Sequence, residues 1–101
     1  MIEFFEFQSG VFVWNLRKEA NNVLRHGMNF SEASLAFQDR RRLILEDQIH
    51  SAEERRYFCV GEVMGRVATV RFTYREGRIR IFGAGYWRKW RKLYEEKKAL
   101  R

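Results

Sequence analysis

The stretch Val67-Ala68-Thr69-Val70-Arg71-Phe72-Thr73-Tyr74, then Arg75-Glu76-Gly77, then Arg78-Ile79-Arg80-Ile81-Phe82 decides the fold class. The first run is rich in β-branched and aromatic residues, the middle triplet has turn composition, and the last alternates basic with apolar side chains. Alternation of period two across a tight turn marks a half-buried antiparallel hairpin, apolar side in and basic side out. Upstream, Arg56-Tyr57-Phe58-Cys59-Val60-Gly61 reads as another strand, joined to the first by the hairpin turn Val63-Met64-Gly65-Arg66. Leu43-Ile44-Leu45 is one more, separated by a polar loop from Glu46 to Glu54.

Towards the N-terminus the first thirteen residues, ending Val11-Phe12-Val13, read as extended with a break at Gly10. From Asn15 the period changes. Leu16, Ala20, Val23 and Leu24 recur at three- and four-residue spacing, and His26-Gly27 closes that helix as a C-terminal cap would. Asn29-Phe30-Ser31-Glu32 opens a second, short helix, capped by Asn29 or Ser31, with Ala33, Ala36 and Phe37 as its apolar side. Asp39-Arg40-Arg41-Arg42 ends it. Downstream, Gly83-Ala84-Gly85 reads as a strand-to-helix turn. Tyr86 to Leu100 reads as a helix with Trp87, Trp90, Leu93 and Tyr94 on one side and Arg88, Lys89, Arg91 and Lys92 on its flanks. The expected architecture is one α+β domain over residues 1–101, with N-terminal helices on one face of an antiparallel sheet and a basic C-terminal helix.

Composition bounds the function. Sixteen per cent of the 101 residues are aromatic, enough for a real core. The length excludes a multidomain enzyme or a solenoid. Formal charge is +7, and it is placed unevenly. Residues 1–77 balance eleven Lys/Arg against eleven Asp/Glu, whereas residues 78–101 hold nine Lys/Arg against only Glu95 and Glu96. A one-sided basic block points to a polyanion before a neutral metabolite. The single cysteine, Cys59, permits no internal disulfide and reads as a core residue. No apolar run approaches the roughly 18 residues of a membrane span, and the acid-interrupted start is no signal peptide, so the expectation is a cytoplasmic chain without a membrane partner.

No Walker loop, dinucleotide fingerprint or paired-cysteine motif is present, and two histidines 23 residues apart offer no metal-ligand spacing. Neither a metal nor a cofactor is expected. What remains is basic and aromatic. Arg75, Arg78 and Arg80 cluster on two strands, and guanidinium groups suit phosphates through their planar, permanently charged fork. Tyr86, Trp87 or Trp90 can stack on unpaired bases, although aromatic residues at helical spacing are more often core. Metal-free RNA cleavage needs a base for the 2′-hydroxyl, an acid for the leaving oxygen and cations for the phosphate. The chain offers His50, Glu54, Tyr74, Tyr94, Lys89 and several arginines, among which composition does not choose.

An ordered series of segments resembles the BrnT family of type II toxins. It runs through Val11-Phe12-Val13-Trp14-Asn15, Asn22 to Ala33 with Leu24-Arg25-His26-Gly27, and Ala36-Phe37-Gln38-Asp39. It continues with His50-Ser51, Glu54, Arg56-Tyr57, Gly61, Phe72-Thr73-Tyr74-Arg75, Arg78-Ile79-Arg80-Ile81 and the basic helix ending Tyr94-Glu95-Glu96. The resemblance covers about residues 11–96. It implies a RelE-like α+β ribonuclease that needs no metal, inhibits translation by cutting RNA, and is neutralised by a BrnA-like antitoxin with a ribbon-helix-helix domain. Operator DNA would be met only through the complex of the two. The matching polar positions are His50, Glu54, Arg56, Arg75 and Arg80. Arg56 and Arg80 would serve phosphate binding, and His50 or Glu54 proton transfer; Arg75, Arg78, Arg88, Lys89, Arg91 and Lys92 would hold RNA. The sequence departs from the family where Gly83-Ala84-Gly85-Tyr86-Trp87 replaces a Ser-Ala-Arg segment, where Trp90 stands near an acidic position, and where Asn15 stands for Asp. A non-catalytic RNA- or DNA-binding module using the basic helix is the alternative, and a protein-binding element docking an acidic segment is the third reading.

Overall fold

The computed structural model describes residues 6–100. Two strands open the chain, β1 (Glu6–Ser9) and β2 (Phe12–Asn15), followed by α1 (Leu16–His26) and α2 (Phe30–Ala33). A 3-10 turn, Ser34–Gln38, leads to β3 (Leu43–Glu46), and another, Gln48–His50, precedes β4 (Tyr57–Val63), β5 (Arg66–Arg75) and β6 (Arg78–Gly85). Helix α3 (Arg88–Ala99) ends the chain. The six strands form one sheet in the order β1-β2-β6-β5-β4-β3. This is the expected α+β class with its C-terminal basic helix.

Local chemistry explains the elements. The loops after β4 and β5 put both central residues at positive φ, Met64 at 52° with Gly65 at 86°, and Glu76 at 54° with Gly77 at 75°. That pair of left-handed residues gives the turn whose twist matches the strands it joins. Asn15 caps α1 by accepting the Arg17 and Lys18 amides, and Gly27 ends it at φ 70°. Asn29 and Glu32 form a reciprocal capping box on α2.

The structure differs from the sequence expectation in four places. The extended N-terminal stretch is a hairpin, β1 against β2, and β2 then runs parallel to β6. The parallel pairing is possible because the helices and the β3–β5 meander supply the long crossover between those two strands. The expected apolar side of α1 is solvent-facing: Leu16, Ala20, Val23 and Leu24 are all exposed, Leu24 by 85%. Its inward contacts are polar instead. Asn22 donates to the Met28 carbonyl and accepts from the Ala84 amide, and Glu19 accepts from the Trp14 indole and the Phe30 amide. Gly83-Ala84-Gly85 is not a turn but the end of β6, paired with Arg71, Val70 and Thr69. Finally, the helices do not share one face.

The register sorts the two faces. Tyr57, Cys59 and Gly61 of β4, Ala68, Val70 and Phe72 of β5, and Ile79 and Ile81 of β6 face α2 and the turn after it. There Phe30, Ala33 and Ala36 are fully buried, and Phe37 meets Phe72 edge-on at 4.9 Å. Gly61 allows this closeness, since a Cβ there would lie 2.6 Å from the Ala36 carbonyl oxygen. Cys59 belongs to this core as expected, and burial pushes its thiol up to about 12. On the opposite face α3 covers only the β4–β5 end. Trp90 packs on Phe58 at 5.1 Å, and the Tyr94 hydroxyl donates to Asp39 Oδ2 at 2.5 Å. Asp39 also accepts the Glu62 and Arg41 amides, tying α3 to the helical layer around the sheet edge.

Candidate active site

The remainder of that second face is open, and cations fill it. Alternation places Arg71, Thr73 and Arg75 of β5 on this side, with Arg80 opposite Thr73 and Arg78 opposite Arg75. A bulge between Arg71 and Phe72 adds one residue to β6: Phe72 pairs with Ile81 and Arg71 with Gly83, so Phe82 has no partner in the register. The extra residue turns the Phe82 ring to the basic side. Two cations from distant segments settle on it, Lys18 Nζ from α1 at 5.0 Å and the Arg56 guanidinium at 4.5 Å. Partial burial and the charges of Arg56, Arg71, Arg80 and Arg75 lower the Lys18 pKa below its ordinary value. Lys18, Arg56, Arg71, Arg75 and Arg80, from four segments, thus converge on one surface, with Arg78 at its edge.

The loop from Asp47 to Arg56 forms the wall beside them, and hydrogen bonds hold its shape. The Asp47 amide donates to the Arg56 carbonyl at 2.7 Å, the Ser51 hydroxyl to the Asp47 carbonyl at 2.6 Å, and the Arg56 amide to Ser51 Oγ at 2.9 Å. Thr73 Oγ1 reaches across from β5 to the Arg55 carbonyl at 2.5 Å. Within this frame His50 Nδ1 lies 2.8 Å from Asp47 Oδ2. The Asp47 side chain is 7% exposed and that of His50 56%, so a buried carboxylate holds an accessible imidazole. Asp47 thereby fixes which ring nitrogen faces the buried carboxylate. His50 lines two cavities. One, of about 640 Å³, is shared with Glu54, Arg56 and Arg75. The other is smaller and is shared with Arg71, Phe58, Trp87 and Trp90.

The sequence candidates therefore divide. His50, Glu54, Arg56 and Arg75 meet in the larger cavity, and Arg80 stands beside them on the sheet. Glu54 is engaged on both oxygens by Arg75 Nη2, at 3.1 and 2.9 Å, and has Arg56 at 3.9 Å. Arg78 is exposed at the β5–β6 turn. The basic residues of α3 do not share one cavity. Arg88 and Arg91 line a separate cavity with Arg66, Tyr86 and Lys98, at the end of β5 remote from Arg75. Lys89 reaches the ring of Trp90 at 4.8 Å, and Trp90 itself lines the smaller His50 cavity. Lys92 is exposed away from both. Tyr74 packs on the core side against Phe72 and Tyr57. Burial and the Asp39 bond push the Tyr94 phenol well above its ordinary range. Neither tyrosine reaches the cations.

Sequence reading missed Lys18, Arg71 and Asp47. Two carried a signal. Lys18, Asn22 and Arg25 recur at helical spacing on α1, and with Arg71, Phe82 and Gly83 they line a cavity of about 210 Å³. Arg71 stands four residues before Arg75, in the same strand phase. Among the described residues, no helix is long and apolar enough to cross a membrane.

The model of a family described as "Ribonuclease toxin, BrnT, of type II toxin-antitoxin system" matches residues 14–90, a span from Trp14 to Trp90 that contains Lys18, His50 and the arginines of the open face. No protein of curated function matches the chain.

Proposed function

Because this chain belongs to the BrnT family, the ribonuclease toxins of type II toxin–antitoxin systems, we propose that it cuts RNA without a metal, by transfer of the phosphoryl group to the neighbouring 2′-oxygen. The observation that carries the proposal is the tethered imidazole of His50, which shares one cavity with Arg56 and Arg75 and another with Arg71, the arginines whose charges, with that of Arg80, also bear on Lys18. His50 Nε2 takes the proton of the 2′-hydroxyl as the 2′-oxygen bonds to phosphorus. The phosphorus–5′-oxygen bond breaks, and the leaving oxygen takes a proton from Lys18, whose lowered pKa eases the transfer. One product ends in a 2′,3′-cyclic phosphate and the other begins with a 5′-hydroxyl. Arg56 and Arg80 hold the non-bridging oxygens, where negative charge grows in the transition state. Glu54 orients Arg56 and Arg75 rather than moving a proton, since both of its oxygens are already engaged.

A type II system pairs the toxin with an antitoxin. In this proposal the partner is a BrnA-like protein with a ribbon-helix-helix domain, operator DNA is contacted only through the complex, and free toxin halts translation by destroying RNA in the cytoplasm. The test is incubation of purified chain with single-stranded RNA in excess chelator. Fragments ending in 2′,3′-cyclic phosphate, lost in His50→Ala and Arg80→Ala, support the reading. Intact RNA with folded, soluble protein refutes it and leaves the alternative of a binding module.

A further inference from the structure

We propose that the cavity between α3 and β4 is a seat for one unpaired nucleobase of the RNA strand, next to the phosphodiester whose neighbouring 2′-hydroxyl His50 deprotonates. The inference rests on the ribonuclease reading for its substrate and on a separate set of residues for its geometry. The cavity measures about 240 Å³, and its lining is Trp87, Trp90, Phe58, Arg71, His50 and Asp47. Three aromatic rings and a guanidinium plane are the surfaces on which bases stack, and a space of this size takes one ring system rather than a larger ligand.

The rings are set before any ligand arrives. The Trp87 indole lies against Gly85, where a Cβ would come within 3.0 Å of it, and it meets the His26 ring edge-on at 5.5 Å. Trp90 is tilted by 36° on Phe58, with Lys89 Nζ over its ring. Rings held in this way lose little freedom when a base stacks on them. Charge identifies the occupant. Arg71 lies between this cavity and that of Lys18, so a chain whose base enters here lays its phosphates on cations. An apolar peptide or a neutral metabolite would leave those cations without counter-charge. Because His50 borders both cavities, the seated nucleotide is adjacent to the scissile bond. The enzyme then requires single-stranded RNA, since a base inside a duplex cannot reach the seat.

The experiment uses the full chain and a single-stranded 2′-fluoro RNA, which cannot be cut by 2′-oxygen attack, alongside identical strands with an abasic site at each position in turn. The readout is tryptophan emission; of the three indoles, Trp14 is buried in the core and Trp87 and Trp90 border the seat. The intact strand should quench emission, and one abasic position should weaken binding about tenfold. Trp90→Ala should raise KM for cleavable RNA by a similar factor, and Trp90→Phe should restore most of it. Quenching that ignores every abasic site, or equal cleavage of duplex and single strand, overturns the proposal. So does emission that responds only to added antitoxin, which would make the cavity a protein contact. If the abasic effect is present but no RNA is cut, the seat stands and the ribonuclease reading falls.

Discussion

The two faces of the sheet are built from alternate residues of the same strands, yet they do opposite work. On one face Val70, Phe72 and Ile81 pack against Phe30 and Phe37 in a dry core. On the other, Arg71 and Arg80, each a single residue away, stand among like charges, with Thr73 buried between them under the Arg55 carbonyl. The first face gains free energy from burial, and the second spends it. Holding Lys18 partly buried among the arginines is unfavourable for its charged form: burial first, and then the charges of Arg56, Arg71, Arg80 and Arg75, lower its pKa. A polyanion is what such a surface is complementary to. A one-residue slip of register would exchange the two faces, so the packed side also holds the arginines in position.

The comparison can be broken most severely from the packed side. Phe30→Ala should cost about 3–5 kcal/mol, a loss of well over 10 °C in Tm for a domain of this size, read by calorimetry. Activity per folded molecule should be unchanged. From the open side, Arg80→Ala should lower cleavage by about 10²–10³-fold with Tm nearly unmoved, and Asp47→Asn should act in the same direction by releasing His50. If either variant moved both readouts together, the division between the faces would fail.

Smaller effects sharpen it. Gly61→Ala drives a methyl group into the Ala36 carbonyl and should cost about 1–3 kcal/mol without touching cleavage. The Asp39–Tyr94 bond gives stability a pH signature. Burial alone would raise the Asp39 pKa, but the Tyr94 hydroxyl, the Glu62 and Arg41 amides and the Lys98 charge outweigh it and hold the carboxyl below its ordinary 3.8. Its contribution is therefore present above that value and lost as pH falls through the depressed one. Tyr94 is raised, so its part is present below 10.0 and lost as pH rises through the folded-state value. Asp39→Asn should flatten the acid limb of a Tm-against-pH curve. The smallest change concerns Lys18. Its folded pKa lies below 10.5, so the unfolded chain holds more protons between the two values and stability climbs with pH across that window. Lys18→Gln should raise Tm by a few degrees at most while slowing cleavage.

Much of the fold was legible in the chain. Hairpins declared themselves because period-two alternation and the residue pairs at Met64-Gly65 and Glu76-Gly77 are local properties. The capping box at Asn29 and Glu32 and the Gly27 stop are local too. The candidate site was half legible. His50, Glu54, Arg56, Arg75 and Arg80 were named from residue type and from the family pattern. The placement of the α3 cations was not legible, because a charge count does not say which way a helix turns its flanks: Arg88 and Arg91 line a cavity apart from those of His50.

The sequence by itself determined the α+β class, the strand phases that put arginines on one side, and the short stops between elements, since each depends on neighbours a few residues apart. Only the tertiary structure decided that β2 joins β6 in parallel, that α1 turns Asn22 and Glu19 inward rather than its leucines, and that Asp47 holds His50 in a cavity with Arg71. Those outcomes depend on which distant backbone groups lack partners. The free amide of Ala84 calls Asn22 inward, and the bulge at Phe82 offers the ring on which Lys18 and Arg56 meet. Neither exists until the sheet has formed.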